Sequence, residues 1–533
     1  MNYSQESLER IEKVKNLKKA GISPYANKFD KKNSLDELKN LSEEKFSDVN
    51  FLMENGAENK FSTAGRMMTF RAHGKLSFAK IKDFSGELQI AFVRDKVKIR
   101  NKNELLDAIK VGEIEYTAYK FIEKIIDLGD FVGVKGEMFV TKHGEPTLFV
   151  NEIQILSKAI RPLPEKFHGI QDQDAIYRQR YLDFTMNDKS YQNAVLRTKI
   201  VKAIRQFYWK NDFSEVETPV LGNSASGAAA QPFITHHNDF DQDFYLRIAP
   251  ETALKMTTAG RFERVFEIGK NFRNEGSSPT HMQEFTAVEH YAAWWNFEDN
   301  MKFTEEMFDF IFTELGISRK IMVKDKNGEA KEVDFGKKFE KIDYIEGVKK
   351  ESGIDISEFG AEDEDELRDL IKSKGIQFEG MDKMGTTTLI DYLYKKVLRP
   401  KILGPAFVYN YPKTMQPLAR QNDENPGIVE QFQLVVNGNE ILKAYSELVD
   451  PFIQAENFNV QGDALERGDE EATAGDDEFL LAMEHGMPCQ SGWGMGIDRF
   501  VSILTEQDNL RDTVLFPLMK PVSGEEKVEE VGE

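Results

Sequence analysis

The chain has 533 residues, 40% of them hydrophobic and 30% charged, which suits a soluble globular protein of two or three domains rather than one compact core. Its net charge of −21 excludes a generic nucleic-acid-coating protein, although basic residues gathered on one surface still allow RNA binding. The single cysteine, Cys489, excludes an intramolecular disulfide and a thiolate zinc cluster; with no apolar run of membrane length and a polar, charged opening from Ser4, a cytoplasmic location is expected.

Residues 3 to about 40 read as helix, with Leu8, Ile11, Val14, Leu17 and Lys18 at helical spacing and Gly21 with Pro24 closing the segment. Residues 1–50 are therefore expected to form an N-terminal helical segment. Over 51–158 the pattern changes to short strands: Phe61 to Thr69, Ser77 to Phe84, Leu88 to Arg94, Ile114 to Phe121 and Phe131 to Val140. Turns sit at Ser85-Gly86, Leu128-Gly129-Asp130 and His143-Gly144. Five strands in this length suit a small closed barrel of the oligonucleotide-binding (OB) type. Two prolines stiffen the connection Ile160-Arg161-Pro162-Leu163-Pro164.

An α+β region is expected over 159–521. Helices are predicted at Ser190 to Trp209 and Asn300 to Leu315, and strands at Arg264 to Phe272, Glu284 to Tyr291 and Gln431 to Val436. An acidic helical insertion is expected at about 335–380, carrying Glu362 to Glu366, and residues 522–533 lack apolar anchors and are expected to be disordered.

Three segments carry chemistry. In the first, two strands flank the polar stretch Arg273-Asn274-Glu275-Gly276, and the return strand brings Phe285, Glu289 and Tyr291. The planar fork of an arginine suits a phosphate or carboxylate, and Phe285 suits a flat base. In the second, Gly492-Trp493-Gly494-Met495-Gly496-Ile497-Asp498-Arg499 opens a helix, where closely spaced glycines admit a ligand and the helix start favours anions. In the third, Asn437-Gly438 marks a hairpin whose second strand puts Lys443, Tyr445 and Glu447 on one face. Glu440 has the opposite parity, so joining them requires a bulge or a late strand start; its carboxylate would suit magnesium. Phe213 to Pro219 reads as a strand on a sheet edge, and His236-His237 as exposed loop histidines.

In order, Glu215-Val216-Glu217-Thr218-Pro219, the block Phe272 to Tyr291 and Gly492 to Arg499 resemble motifs 1, 2 and 3 of class II aminoacyl-tRNA synthetases. Arg161 to Gly169, Tyr177 to Asp183, Leu246 to Glu251, Pro417 to Arg420 and Tyr445 to Leu448 resemble the bacterial-type lysyl-tRNA synthetases in particular, and the similarity runs from about residue 5 to 521. The resemblance implies an antiparallel sheet flanked by helices behind the OB barrel, a homodimer, and ATP-dependent ligation of L-lysine to tRNA(Lys) through lysyl-adenylate with Mg2+. It implies that Arg273, Glu275 and Arg499 are catalytic; that Arg273, Glu275, His281, Met282, Phe285, Gly494, Gly496 and Arg499 bind ATP; and that Gly227, Glu251, Arg273, Glu289, Tyr291, Tyr445 and Glu447 enclose lysine. Glu440 matches a metal position, and Arg71, Phe78 and Gln89 match positions that contact the anticodon.

The chain departs from that pattern at Thr280 and Gln231, where the family has arginine, at Met282-Gln283, where it has Asn-Pro, at Gln433, where it has glutamate, and at Lys443, where it has asparagine. A class II synthetase for aspartate or asparagine is the alternative reading, as is an RNA-binding regulator with a decayed catalytic core. Lys443 is the one hint of an acidic substrate, and the intact Arg273, Glu275 and Arg499 count against decay.

Overall fold

The computed structural model describes residues 3–164, 172–224, 227–228, 230–325, 328–360, 362–466 and 475–521; the tail expected at 522–533 lies outside the described residues. The chain divides near residue 170 into two compact units.

The first unit opens with helix α1 (Gln5–Lys19), whose N-terminal amides are capped by the Ser4 hydroxyl, which accepts from the Ser7 N–H at 3.2 Å. The helix does not run on towards residue 40. Gly21 turns left-handed at φ +73°, and the next helix is the short Leu35–Lys39, started afresh by a capping box between Ser34 and Glu37.

The barrel consists of β1 (Phe61–His73), β2 (Leu76–Lys82), β3 (Glu87–Val93), β4 (Phe131–Val140) and β5 (Pro146–Ser157). The strands pair in the order β3-β2-β1-β4-β5, and a parallel contact from Gln89↔Thr147 to Ala91↔Phe149 closes the ring. The expected strand Ile114 to Phe121 requires correction. Only Ile114–Thr117 is extended, and Ala118–Ile125 is a helix whose first turn is capped by Thr117 Oγ1, accepting from the Lys120 N–H. Its apolar residues are spaced as on one helical face, and Ala118, Tyr119, Phe121, Ile122 and Ile125 are buried in the barrel's core. Each large side chain buried there contributes roughly 1.5–3 kcal/mol. The strand missing from the prediction is β5.

The second unit is built on an eight-stranded sheet of β6 (Ser214–Glu215), β7 (Arg264–Phe272), β8 (Glu284–Ala293), β9 (Glu340–Asp343), β10 (Ala406–Pro412), β11 (Ile428–Val436), β12 (Asn439–Ser446) and β13 (Gln490–Gly496). Its order is β6-β7-β8-β13-β12-β11-β10-β9. The six inner strands are antiparallel, and the two edge strands, β6 and β9, join in parallel.

Strand alternation gives the sheet two different faces. Val288, Ala292, Phe432, Leu434, Ala444, Trp493 and Met495 point to one side. There they pack against helices α2 (Asp188–Lys210) and α4 (Phe297–Leu315), which supply Ile204, Phe207, Met307 and Ile311. A buried polar chain crosses this layer: Tyr208 Oη meets His290 Nδ1 at 2.8 Å, His290 Nε2 meets Asn300 Oδ1 at 2.8 Å, and Asn300 Nδ2 donates to Ser491 Oγ at 2.8 Å. Burial pushes His290 down to about 3, so its ring is neutral at neutral pH. The opposite face carries Glu289, Tyr291, Gln433, Lys443, Tyr445 and the glycines of β13. Beyond β10 lie helices Tyr344–Ser352, Glu364–Ser373 and Thr386–Val397, with their own core around Tyr344, Leu367 and Leu393. Of the acidic run, Glu364, Asp365 and Glu366 occupy the first turn of the second of these helices, where the helix dipole favours negative charge.

Candidate active site

The site lies on the sheet face turned away from α2 and α4, across β7, β8, β13 and β12. β7 and β8 pair from Arg264↔Ala292 to Phe272↔Glu284, and the Arg273 N–H donates to the Gln283 carbonyl at 2.8 Å, extending the hairpin one step into the loop. This backbone holds Arg273 half-buried at the mouth, its guanidinium 5.2 Å from the centroid of the Phe285 ring. Burial lowers the Arg273 pKa, while Glu275 and Glu289 support the charge. Its Nε is buried without a protein hydrogen-bond partner and is open to one from a ligand. Glu275 and His281 are exposed on the loop, and Met282 is half-buried. His281 Nδ1 meets Ser278 Oγ at 2.9 Å, and partial burial together with Arg499 lowers its pKa.

A register line joins Gln433 and Lys443 to the rest of the site. Glu289 faces Gly494, Gly494 faces Lys443, and Lys443 faces Gln433. β12 carries the bulge that the parity of Glu440 required. Leu434 pairs with Leu442 but Val435 pairs with Glu440, leaving Ile441 over. Ile441 and Leu442 both enter the core, and Glu440 joins the face of Lys443. Glu440 acts electrostatically on both Arg273 and Lys443. Burial lowers the Lys443 pKa against the pull of Glu440 and Glu251.

Next to this line is a buried cluster of acids and tyrosines. Glu251 begins helix α3 (Glu251–Ala259), and with Glu447, Tyr291 and Tyr445 it is buried. The Tyr445 hydroxyl donates to Glu251 Oε1 at 2.5 Å. Burial drives Glu447 up to about 8 although Lys255 pulls the other way, and burial with Glu251 nearby drives Glu289 to about 8 although Arg273 opposes it. Three positions admit no side chain or little of one. A Cβ on Gly492 would lie 2.2 Å from Glu447 Oε1 and 2.4 Å from the Tyr291 ring. A Cβ on Gly494 would meet Glu289 Cγ at 3.3 Å. Gly227 has φ +87°, and a Cβ there would meet that of Glu251 at 3.0 Å.

Gly496 caps helix α5 (Ile497–Leu504), which presents Arg499 half-buried; Arg499 Nη1 donates to the Glu440 carbonyl at 3.2 Å. Two residues here escaped the sequence reading. Asp498 accepts from the Thr286 N–H at 2.8 Å and pairs with Arg197 at 2.5 Å, tying α5 to β8 and α2. Lys255 stands one helical turn after Glu251 and pairs with it at 2.7 Å. The i,i+4 spacing of Glu251 and Lys255 was the available signal for that pair.

In the barrel, Arg71 and Phe78 are cross-strand partners. Phe78 faces Ala91, two residues along β3 from Gln89, so the three predicted residues share one face. Arg71 is exposed, Phe78 is half-buried, and Gln89 Nε2 donates to Thr147 Oγ1 at 2.9 Å.

Residues 172–520 match the family model described as tRNA synthetases class II (D, K and N), and residues 61–156 match the OB-fold nucleic acid binding domain. The chain is 40% identical over 519 residues to a lysine–tRNA ligase of Thermosipho africanus, covering 97% of both chains. It is 40% identical over 516 residues to one of Clostridium novyi, covering 96% of this chain and 94% of that one. With one of Aquifex aeolicus it shares 42% identity over 461 residues, covering 86% of this chain and 73% of the relative. The chain therefore belongs to the class II aminoacyl-tRNA synthetases of the aspartate, lysine and asparagine group and, within it, to the lysyl-tRNA synthetase family.

Proposed function

We propose that this enzyme joins L-lysine to tRNA(Lys) in two steps. The lysine carboxylate attacks the α-phosphorus of ATP, forming lysyl-adenylate and releasing pyrophosphate. A terminal hydroxyl of the tRNA then attacks the lysyl carbonyl, forming the ester and releasing AMP. The observation that carries this reading is the buried cluster of Glu251, Glu447, Tyr291 and Tyr445 on the cleft side that also carries Arg273. Out of water an ammonium needs carboxylate and hydroxyl partners, and this cluster offers both.

In this reading Arg273 bridges the lysine carboxylate and the α-phosphate, and its charge stabilises the crowded phosphorus as negative charge builds up. Glu289 and the Gly227 backbone hold the α-amino end. Phe285 stacks on the adenine, with Glu275, His281 and Met282 around the nucleotide. The bare backbone of Gly494 and Gly496 lets ATP approach, and Arg499 takes the terminal phosphate. Glu440 and Gln433 offer oxygen donors to magnesium: Glu440 lies on the cleft face, and the buried Oε1 of Gln433 has no hydrogen-bond partner. Magnesium bound with ATP supplies charge neutralisation at the phosphates. The rest is positioning, with no covalent protein nucleophile.

Residues 51–158 serve as the anticodon-binding domain, with Arg71, Phe78 and Gln89 receiving unpaired bases. Residues 159–521 serve as the catalytic domain, working as a homodimer in the cytoplasm. No helix among the described residues is long and apolar enough to cross a membrane.

The direct test is charging of a tRNA(Lys) transcript with labelled lysine, ATP and magnesium. Labelled tRNA whose formation is abolished by periodate oxidation of the tRNA end is the expected result; no lysine ester under any condition contradicts the proposal.

A further inference from the structure

The amino-acid pocket contains a cation of the protein's own. Lys255, from the middle of α3, is fully buried. Its ammonium pairs with Glu251 at 2.7 Å and also with Glu447. It lies 5.9 Å from the Tyr291 ring centroid, 5.6 Å from that of Tyr445 and 5.5 Å from that of Phe479. Two acids of the pocket, from different elements, therefore share one internal counter-ion inside an aromatic wall. The other charged groups acting on these acids and on the adjoining Glu289 are Arg247, Glu267 and Arg273, with Lys443 close enough to Glu251 to interact with it.

We propose that Lys255 is a positioning residue for the amino-acid substrate, an internal counter-ion that holds Glu251 and Glu447 together, so that the pair when fully ionised has one net negative charge to match one incoming ammonium. The inference rests on lysine being the substrate. Two carboxylates in a dry pocket do not both ionise unaided, because each raises the other's pKa. With Lys255 between them the pair carries a single excess charge only once Glu447 gives up the proton it holds at neutral pH in the free enzyme. A substrate ammonium then completes a neutral cluster of two acids and two ammoniums, the arrangement with the least uncompensated buried charge. An uncharged side chain offers that second ionisation no partner, so Lys255 also contributes to selection against uncharged amino acids. The aromatic rings favour a cation at Lys255 itself. A role in packing alone differs testably, because methionine fills nearly the same volume without the charge.

The test uses the full-length enzyme and lysine-dependent ATP–pyrophosphate exchange from about pH 6 to about pH 9, across the range where buried carboxylates titrate. Wild type is measured first; if it gives no exchange with lysine, the lysine reading fails and the role of Lys255 falls with it. In Lys255→Met the lysine KM is expected to rise about a hundredfold at neutral pH with the ATP KM unchanged. The alkaline shift of kcat/KM for lysine is expected to be about one pH unit, because the two acids are now harder to ionise. Lys255→Arg should restore the pH profile and most of the affinity. A folded Lys255→Met with the wild-type lysine KM and pH profile overturns the proposal. If the methionine variant fails to fold, Lys255→Arg decides: lysine KM within about tenfold of wild type supports the counter-ion, and a folded arginine variant without lysine binding overturns it.

Discussion

Glu289 and Glu447 meet the same opposing demands, since burial resists their ionisation and a cationic substrate requires it. Burial raises both to about 8, so at neutral pH in the free enzyme the protonated forms dominate. Bound lysine favours the ionised forms, so binding at neutral pH should release protons. Calorimetry in two buffers of different ionisation heat would detect this as a buffer-dependent binding enthalpy; an enthalpy independent of buffer counts against it. His290 works through stability instead. Its pKa falls from 6.5 to about 3 on folding, so below 6.5 the unfolded chain binds a proton that the native chain refuses. Its contribution is complete above 6.5 and is lost progressively as the pH falls towards 3. Urea midpoints measured from neutral to acidic pH should fall over that window, and less steeply in His290→Gln. At Gly492 even one methyl must displace Glu447 and the Tyr291 ring. Gly492→Ala is expected to lose about 1–3 kcal/mol in urea unfolding and to weaken lysine binding more than ATP binding.

At the scale of elements, the hairpin of β11 and β12 places one side of the cleft. Its turn has φ +49° at Asn437 and +69° at Gly438, the pair of positive angles that a tight hairpin needs. The bulge after Glu440 then brings an acid of the wrong parity to the cleft face. The turn, and the need for either a bulge or a late strand start at Glu440, could be read from residues 431–448, because turn chemistry is local and side-chain parity is countable. The strands around Arg273 were legible for the same reason. The helix Ala118–Ile125 was not. Its aromatic and β-branched lead-in suits a strand, and what decides is the fit of its apolar face to a barrel core assembled from distant strands. Lys255 was hidden as well, since a lone lysine on a helix normally faces water and its pairing with Glu447 depends on tertiary structure. In the barrel, the shared face of Arg71, Phe78 and Gln89 predicts that Phe78→Ala weakens binding of an anticodon stem-loop by about 1–3 kcal/mol, the worth of one stacked base. Lysine-dependent pyrophosphate exchange in that variant should stay at the wild-type level, and a matching loss of exchange would point to misfolding.

At the scale of the whole molecule, the acidic balance and the exposed apolar groups act in opposite directions. A net charge of −21 keeps copies apart. Yet α2 and the C-terminal segment form a groove lined by Val201, Arg205, Trp209 and Leu515, with Trp209 54% exposed. An exposed tryptophan in such a groove fits the proposed homodimer, and Trp209→Glu should lower the mass seen by light scattering towards that of one chain. An unchanged dimer mass would place the interface elsewhere. The enzyme's specificity turns on which amino acid the cleft activates. Lys443 puts an ammonium on the cleft face within electrostatic reach of Glu251 and Glu440. The most direct measurement is ATP–pyrophosphate exchange with magnesium and each of the twenty amino acids in turn, on wild type and Lys443→Asn. Exchange driven by lysine alone in both proteins is the predicted result. Wild-type exchange with a different amino acid, or lysine exchange that appears only in Lys443→Asn, would contradict it.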